Sequence, residues 1–154
     1  MTTTELSRID RTVEIEAPPE RVWRALTNVA ELSVWFQVTI EGSLAPDTEI
    51  WMTSTHKGYE GQRFAVRILE MTPPRRLAWQ WHPGEVDPVV QYSSEPRTTV
   101  TFTLEATGRG TRLTVSETGF DAISLTRRAK VFKDNDKGWP EVLDWLRTHA
   151  EASR

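Results

Sequence analysis

Glu117 is the residue of this chain best placed to do chemistry. In the run Leu113-Thr114-Val115-Ser116-Glu117 it alternates onto the face that carries Leu113 and Val115. A charged group among apolar side chains is costly unless it is paired. Three roles fit such a carboxylate. It can orient the polar group of a ligand, it can act as an acid or base in an enclosed pocket, or it can be structural, turning outward at a fraying strand end or accepting hydrogen bonds from a neighbouring strand or helix. If it serves a ligand, the nearly isosteric Glu117→Gln change is expected to leave the fold intact. If it is structural, that change is expected to cost about 1–3 kcal/mol, because a buried partner loses its acceptor.

Little other chemistry surrounds it. His56, His82 and His149 stand far apart, with neither an HxH nor an HxxxH spacing, and there is no cysteine. A structural metal site draws several ligands from His, Cys and carboxylates, so no metal is expected. Disulfides are excluded. His82 alternates onto the face opposite Trp79 and Trp81, which predicts a solvent-facing or rim position. No G-x-S-x-G elbow is present, and the eight glycines form neither a P-loop nor a dinucleotide fingerprint. No cofactor is expected, and no catalytic residue can be assigned beyond Glu117 as a candidate.

The same alternation builds a wall around that candidate. Phe64, Val66 and Ile68 share one face of a strand, and Leu77, Trp79 and Trp81 share a face of the next. Val100, Phe102 and Leu104 follow, then Leu113, Val115 and Glu117. Near the C-terminus, Trp139, Val142, Leu143, Leu146 and Ala150 fall on one stripe at the i, i+3, i+4, i+7 spacing of a helix packed on a sheet. If strand faces and helix stripe meet, Trp139 and Leu143 complete an apolar, aromatic-rich enclosure of the kind that holds small molecules. The same side chains can instead interdigitate and fill the space.

The elements that must position this wall read as one α+β domain. Val13 and Ile15 alternate with Glu14 and Glu16 in a first strand, stopped by Pro18-Pro19, which suit the first turn of a helix. Val22, Leu26 and Val29 recur at helical spacing, and a second short helix through Leu32 ends near Trp35-Phe36. Strands are predicted over 37–41, 49–56, 63–71, 76–82, 98–105 and 112–118, joined by short turns, which implies an antiparallel meander with helices on one face. Residues 83–97 contain three prolines and no period, either a functional lid or an ornament. Residues 121–136 read as a loop with a short basic helix, and the last helix is predicted to begin with Pro140 in its first turn, capped by Asp136 or a neighbour. Residues 1–9 read as a loose tail and 10–152 as a single domain. The chain's 154 residues suffice for one core.

Four segments carry a family resemblance. They are I-x-A-P-x-x-x-V-W-x-A-L-T from Ile15 to Thr27, V-W-F from Val34 to Phe36, L-T-V-x-E-x-G-F from Leu113 to Phe120, and G-W-x-x-V-L-x-x-L from Gly138 to Leu146. Together they resemble the START-like, or SRPBCC, helix-grip superfamily. Within it they are most similar to the branch named after the C-terminal domain of the activator of Hsp90 ATPase. The resemblance implies a curved antiparallel sheet wrapped around a long C-terminal helix, with two short helices after the first strand, and it adds weight to an internal cavity. It does not transfer an activity, since one fold serves many functions. A small apolar or aromatic ligand is the expected partner, ahead of a cyclase- or hydrolase-type enzyme and of an Hsp90-directed co-chaperone. No segment here matches the additional domain with which that activator grips the chaperone, so Hsp90 itself is not expected.

Composition excludes other classes. Net charge is −3, and the basic cluster Arg127-Arg128-Ala129-Lys130 reads as the solvated face of a helix, so nucleic acid is not an expected partner. No apolar run approaches the roughly 20 residues that span a bilayer. The N-terminus lacks the basic and apolar regions of a signal peptide, so a cytoplasmic location is expected. Trp145 at the edge of the helix stripe, with the outer sheet face, leaves a homodimer open.

Overall fold

The architecture was obtained as a computed structural model, which describes residues 7–83 and 95–152. Seven strands form a single antiparallel sheet: β1 (Arg8–Ile15), β2 (Val38–Glu41), β3 (Glu49–Ser54), β4 (Arg63–Thr72), β5 (Arg76–Trp81), β6 (Thr98–Ala106) and β7 (Thr111–Thr118). Their order is β1-β7-β6-β5-β4-β3-β2, so every link but the first joins neighbours and β1 closes onto the last strand. Two short helices, α1 (Pro19–Thr27) and α2 (Val29–Trp35), follow β1. A long helix, α3 (Leu125–Ala152), follows a single 3-10 turn at Phe120–Ala122. This is the helix-grip α+β arrangement expected from the sequence. Among the described residues no helix is long and apolar enough to cross a membrane.

Proline begins α1 for the reason the sequence gives: Pro18 and Pro19 occupy the entry, where a missing N–H costs nothing. Asn28 ends α1 and caps α2, its side chain accepting from the Glu31 amide at 3.1 Å. Trp35 binds the two helices together by donating its indole N–H to the Ala25 carbonyl at 2.7 Å. Glu31 then ties both to the end of α3, accepting from Arg21 at 2.6 Å and Arg24 at 2.8 Å and pairing with His149 at 2.9 Å. Partial burial works against ionisation of Glu31, but these contacts outweigh it and hold the carboxyl below its ordinary range. At the opposite end, Gly110 closes the β6–β7 hairpin. A Cβ there would stand 2.2 Å from the Ile15 carbonyl oxygen, so only glycine lets the hairpin lie against the end of β1.

Two boundaries differ from the sequence reading. Pairing of β1 starts at Arg8, opposite Thr118, and Ile9 is buried, so residues 8 and 9 belong to the sheet rather than to a tail. The alternation was masked by Arg11, which takes an inward position and pairs with Asp136 of α3. The last helix starts at Leu125, and Pro140 lies in its interior. Residues 121–136 are therefore largely helix, and Asp136 is an ion-pairing helix residue rather than a cap. Between Leu125 and Gly138 only Arg128 and Val131 are buried, which left too faint a stripe to read. The predicted insert at 83–97, with Glu85, Asp87 and Tyr92, lies mostly outside the described residues.

Candidate functional site

The strand faces fall as alternation predicts. Val66, Ile68, Leu77, Trp79, Val100, Phe102 and Val115 are buried, as are Trp139 and Leu143 on the facing helix, while Phe64 and Trp81 are half-buried against the same core. A register shift in β4 between Ile68 and Glu70 bends that strand where it pairs with β5. All twelve expected wall residues thus share the concave side of the sheet and the helix that crosses it.

Glu117, near the end of β7, is fully buried between the sheet and α3, and its carboxylate is saturated. Oε1 accepts from the Trp139 indole and from the Asn135 amide, each at 2.9 Å. Oε2 accepts from the Thr98 hydroxyl at 2.6 Å and the Trp81 indole at 2.9 Å, with Asn135 also at 3.1 Å. A carboxylate offers about four lone-pair sites, and four donors from β5, β6 and α3 fill them. Of the three roles open from sequence, the geometry meets the demands of the structural one. Asn135 and Thr98 are the partners that sequence reasoning missed. Asn135 stands one turn before Trp139 on the same helix face, a signal hidden by placing the helix start too late.

By fastening two indoles, Glu117 also fixes the rings around them. Trp81 and Trp139 stack with centroids 6.0 Å apart and planes 26° from parallel. Phe36, at the end of α2, stacks on Trp81 at 6.4 Å and 16°. Phe64 meets Trp81 edge-on at 6.0 Å, and Phe102 meets Trp139 edge-on at 5.9 Å. Beyond this lies a second, more exposed aromatic group. His56 stacks on Tyr59 at 5.6 Å, approaches Trp145 at 5.0 Å, and contacts the Gln37 side chain through Nδ1 at 2.8 Å. Trp145 is therefore partly engaged within its own chain.

Of the two positions expected of His82, solvent-facing and rim, the first is excluded, because the side chain is buried. Arg97 donates to its Nε2 at 3.2 Å and to Glu49 at 2.7 Å. Burial, and next the charge of Arg97, push the imidazole below its ordinary value of 6.5. Arg127 of α3 pairs with Glu95 and donates to the Pro83 carbonyl at 3.1 Å, which docks both stems of the β5–β6 connection onto the helix. Two open clefts of about 390 and 470 Å³ lie elsewhere, along β1 and the C-terminal half of α3. Of the wall residues only Leu143 reaches either one. Among the described residues no three His, Cys, Asp or Glu side chains group as a metal site.

A model of the activator of Hsp90 ATPase homolog 1-like protein family matches residues 16–151. No curated protein is significantly similar in sequence. Solved structures share the fold at low identity. Protein MLL2253 of Mesorhizobium loti is 23% identical with a TM-score of 0.76, the match covering 96% of this chain and 98% of that one. DynU16, a protein of the dynemicin biosynthetic locus, is 20% identical with a TM-score of 0.73, over 96% of this chain and 48% of that one. An Aha1 dimer from Colwellia psychrerythraea is 19% identical with a TM-score of 0.70, covering 94% and 96%.

Proposed function

The chain belongs to the activator of Hsp90 ATPase homolog 1-like family, and from that footing we propose that it is a small-molecule-binding domain holding a planar apolar or aromatic ligand between the sheet and α3. One observation carries this reading. Three aromatic planes, Phe36, Trp81 and Trp139, lie in near-parallel succession, and the Trp81 and Trp139 indoles are locked by hydrogen bonds to Glu117. Stacking surfaces fixed in advance lower the ordering cost of binding a flat molecule. Phe36, Phe64 and Trp81 are only half-buried, so the outer part of this surface is within reach of a ligand. The relative encoded in the dynemicin biosynthetic locus is consistent with this reading. It favours binding over acid–base catalysis, because the one carboxylate in the wall has all its acceptor positions occupied. A homodimer is not required by it.

Titration with flavonoids, polyketide-like aromatics and fatty acids, corrected for inner-filter effects, tests the proposal. The flat aromatics are expected to quench tryptophan emission saturably and the flexible fatty acids to do so weakly. Absence of any saturable change, with no ligand-induced NMR shifts, counts against a binding function.

A further inference from the structure

The wall contains one polar atom that the fold does not use. Trp79 is fully buried at the centre of the sheet's concave face, yet its Nε1–H has no acceptor among the described residues. Three other indoles of this core are served: Trp35 by the Ala25 carbonyl, Trp81 and Trp139 by Glu117. Buried indole N–H groups nearly always find a partner, and an orphan calls for a reason.

Three aromatic rings flank Trp79: Phe102 at 5.0 Å, Trp81 at 5.5 Å and Phe36 at 6.3 Å. Phe102 is buried in mid-sheet, paired across to Leu77 and Val115. Trp81 is tethered to Glu117. Phe36 has no polar tether, is half-buried, and sits at the joint where α2 ends and Gln37 takes a left-handed conformation at φ 57°. Of the three rings it is the one that can yield.

We infer that Trp79 is a specificity-determining residue. In this inference its Nε1–H donates to a neutral carbonyl oxygen on a planar ligand that takes the place of Phe36 against Trp81. A neutral acceptor fits the surroundings, since a carboxylate ligand buried against this apolar, aromatic wall would meet no cation among the wall residues. The inference rests on the binding function proposed above and names the ligand class: flat, apolar ring systems that carry a ketone or quinone oxygen.

The test uses 9-fluorenone and fluorene, which share a ring skeleton and differ by one carbonyl oxygen. Wild-type protein is expected to bind fluorenone about tenfold more tightly, the usual scale for one well-placed hydrogen bond in a buried site. Trp79→Phe is expected to bring the two affinities together while fluorene still binds. A measurement on wild type alone stands beside it: the indole N–H resonance of Trp79 is expected to move downfield with fluorenone and not with fluorene. Equal wild-type affinities, or a Trp79 resonance that stays put while fluorenone saturates, would overturn the inference and leave the binding function standing. Failure of both compounds to bind would remove the binding function and this inference together.

Discussion

Glu117→Gln is expected to cost the fold about 1–3 kcal/mol, the penalty for leaving a buried donor without its acceptor. For a chain of this size that lowers the thermal midpoint by roughly 2–12 °C. The carboxylate presents two acceptor oxygens to four donors, whereas an amide has one oxygen and an NH2 group that is itself a donor. Thr98 can turn its hydroxyl and Asn135 can flip its amide. The indoles of Trp81 and Trp139 can do neither, and they bind opposite oxygens. Whichever way the glutamine is placed, one buried indole N–H faces another donor. Thermal and urea melts of Glu117→Gln measure this directly, and a loss under about 1 kcal/mol contradicts the saturated network.

Trp139→Ala is the second large effect, an expected loss of about 4–5 kcal/mol, at the upper end for a buried aromatic. The change removes the ring that stacks on Trp81 and meets Phe102, and it leaves Glu117 short of a donor. Trp139→Phe isolates the second part. It keeps an aromatic ring in the layer and is expected to cost about 1–2 kcal/mol. Combined with Glu117→Gln it is expected to be less than additive, since both changes act on the same hydrogen bond. Stability of Trp139→Ala within about 1 kcal/mol of wild type is incompatible with its burial.

Strand positions were legible because one face of each strand is buried, and alternation records that directly. Leu77, Trp79, Val100, Phe102, Leu113 and Val115 all fall inside as their spacing requires. The position of Glu117 on that face was equally plain. Its occupancy was not, because alternation says which way a side chain points and nothing about what meets it. Asn135 comes from a helical arm whose surface is polar nearly all round, and Thr98 contributes through a hydroxyl that looks like an ordinary strand residue. Arg11 hid the first turn of pairing in β1 for the opposite reason: it is a charged side chain on the inner face, made tolerable by Asp136. The orphan N–H of Trp79 has no counterpart in sequence, since it is defined by what surrounds it.

Pro140, in the interior of α3, divides that helix in a way that bears on Glu117. Proline has no N–H to offer the carbonyl four residues earlier, so the ladder is interrupted between the arm that begins at Leu125 and the segment holding Leu143, Leu146 and Ala150. From Leu125 to Gly138 this arm buries little beyond Arg128 and Val131, and segments with few buried contacts open locally well below the free energy of global unfolding. Amides of residues 126–134 are therefore expected to exchange with solvent deuterium faster than those of 143–150, with uniform exchange along α3 speaking against the division. Asn135 lies at the edge of the faster arm. Each opening that reaches it withdraws one donor from Glu117, so the carboxylate is saturated only for as long as the arm is docked, and the same excursion that admits solvent momentarily returns to it a free acceptor.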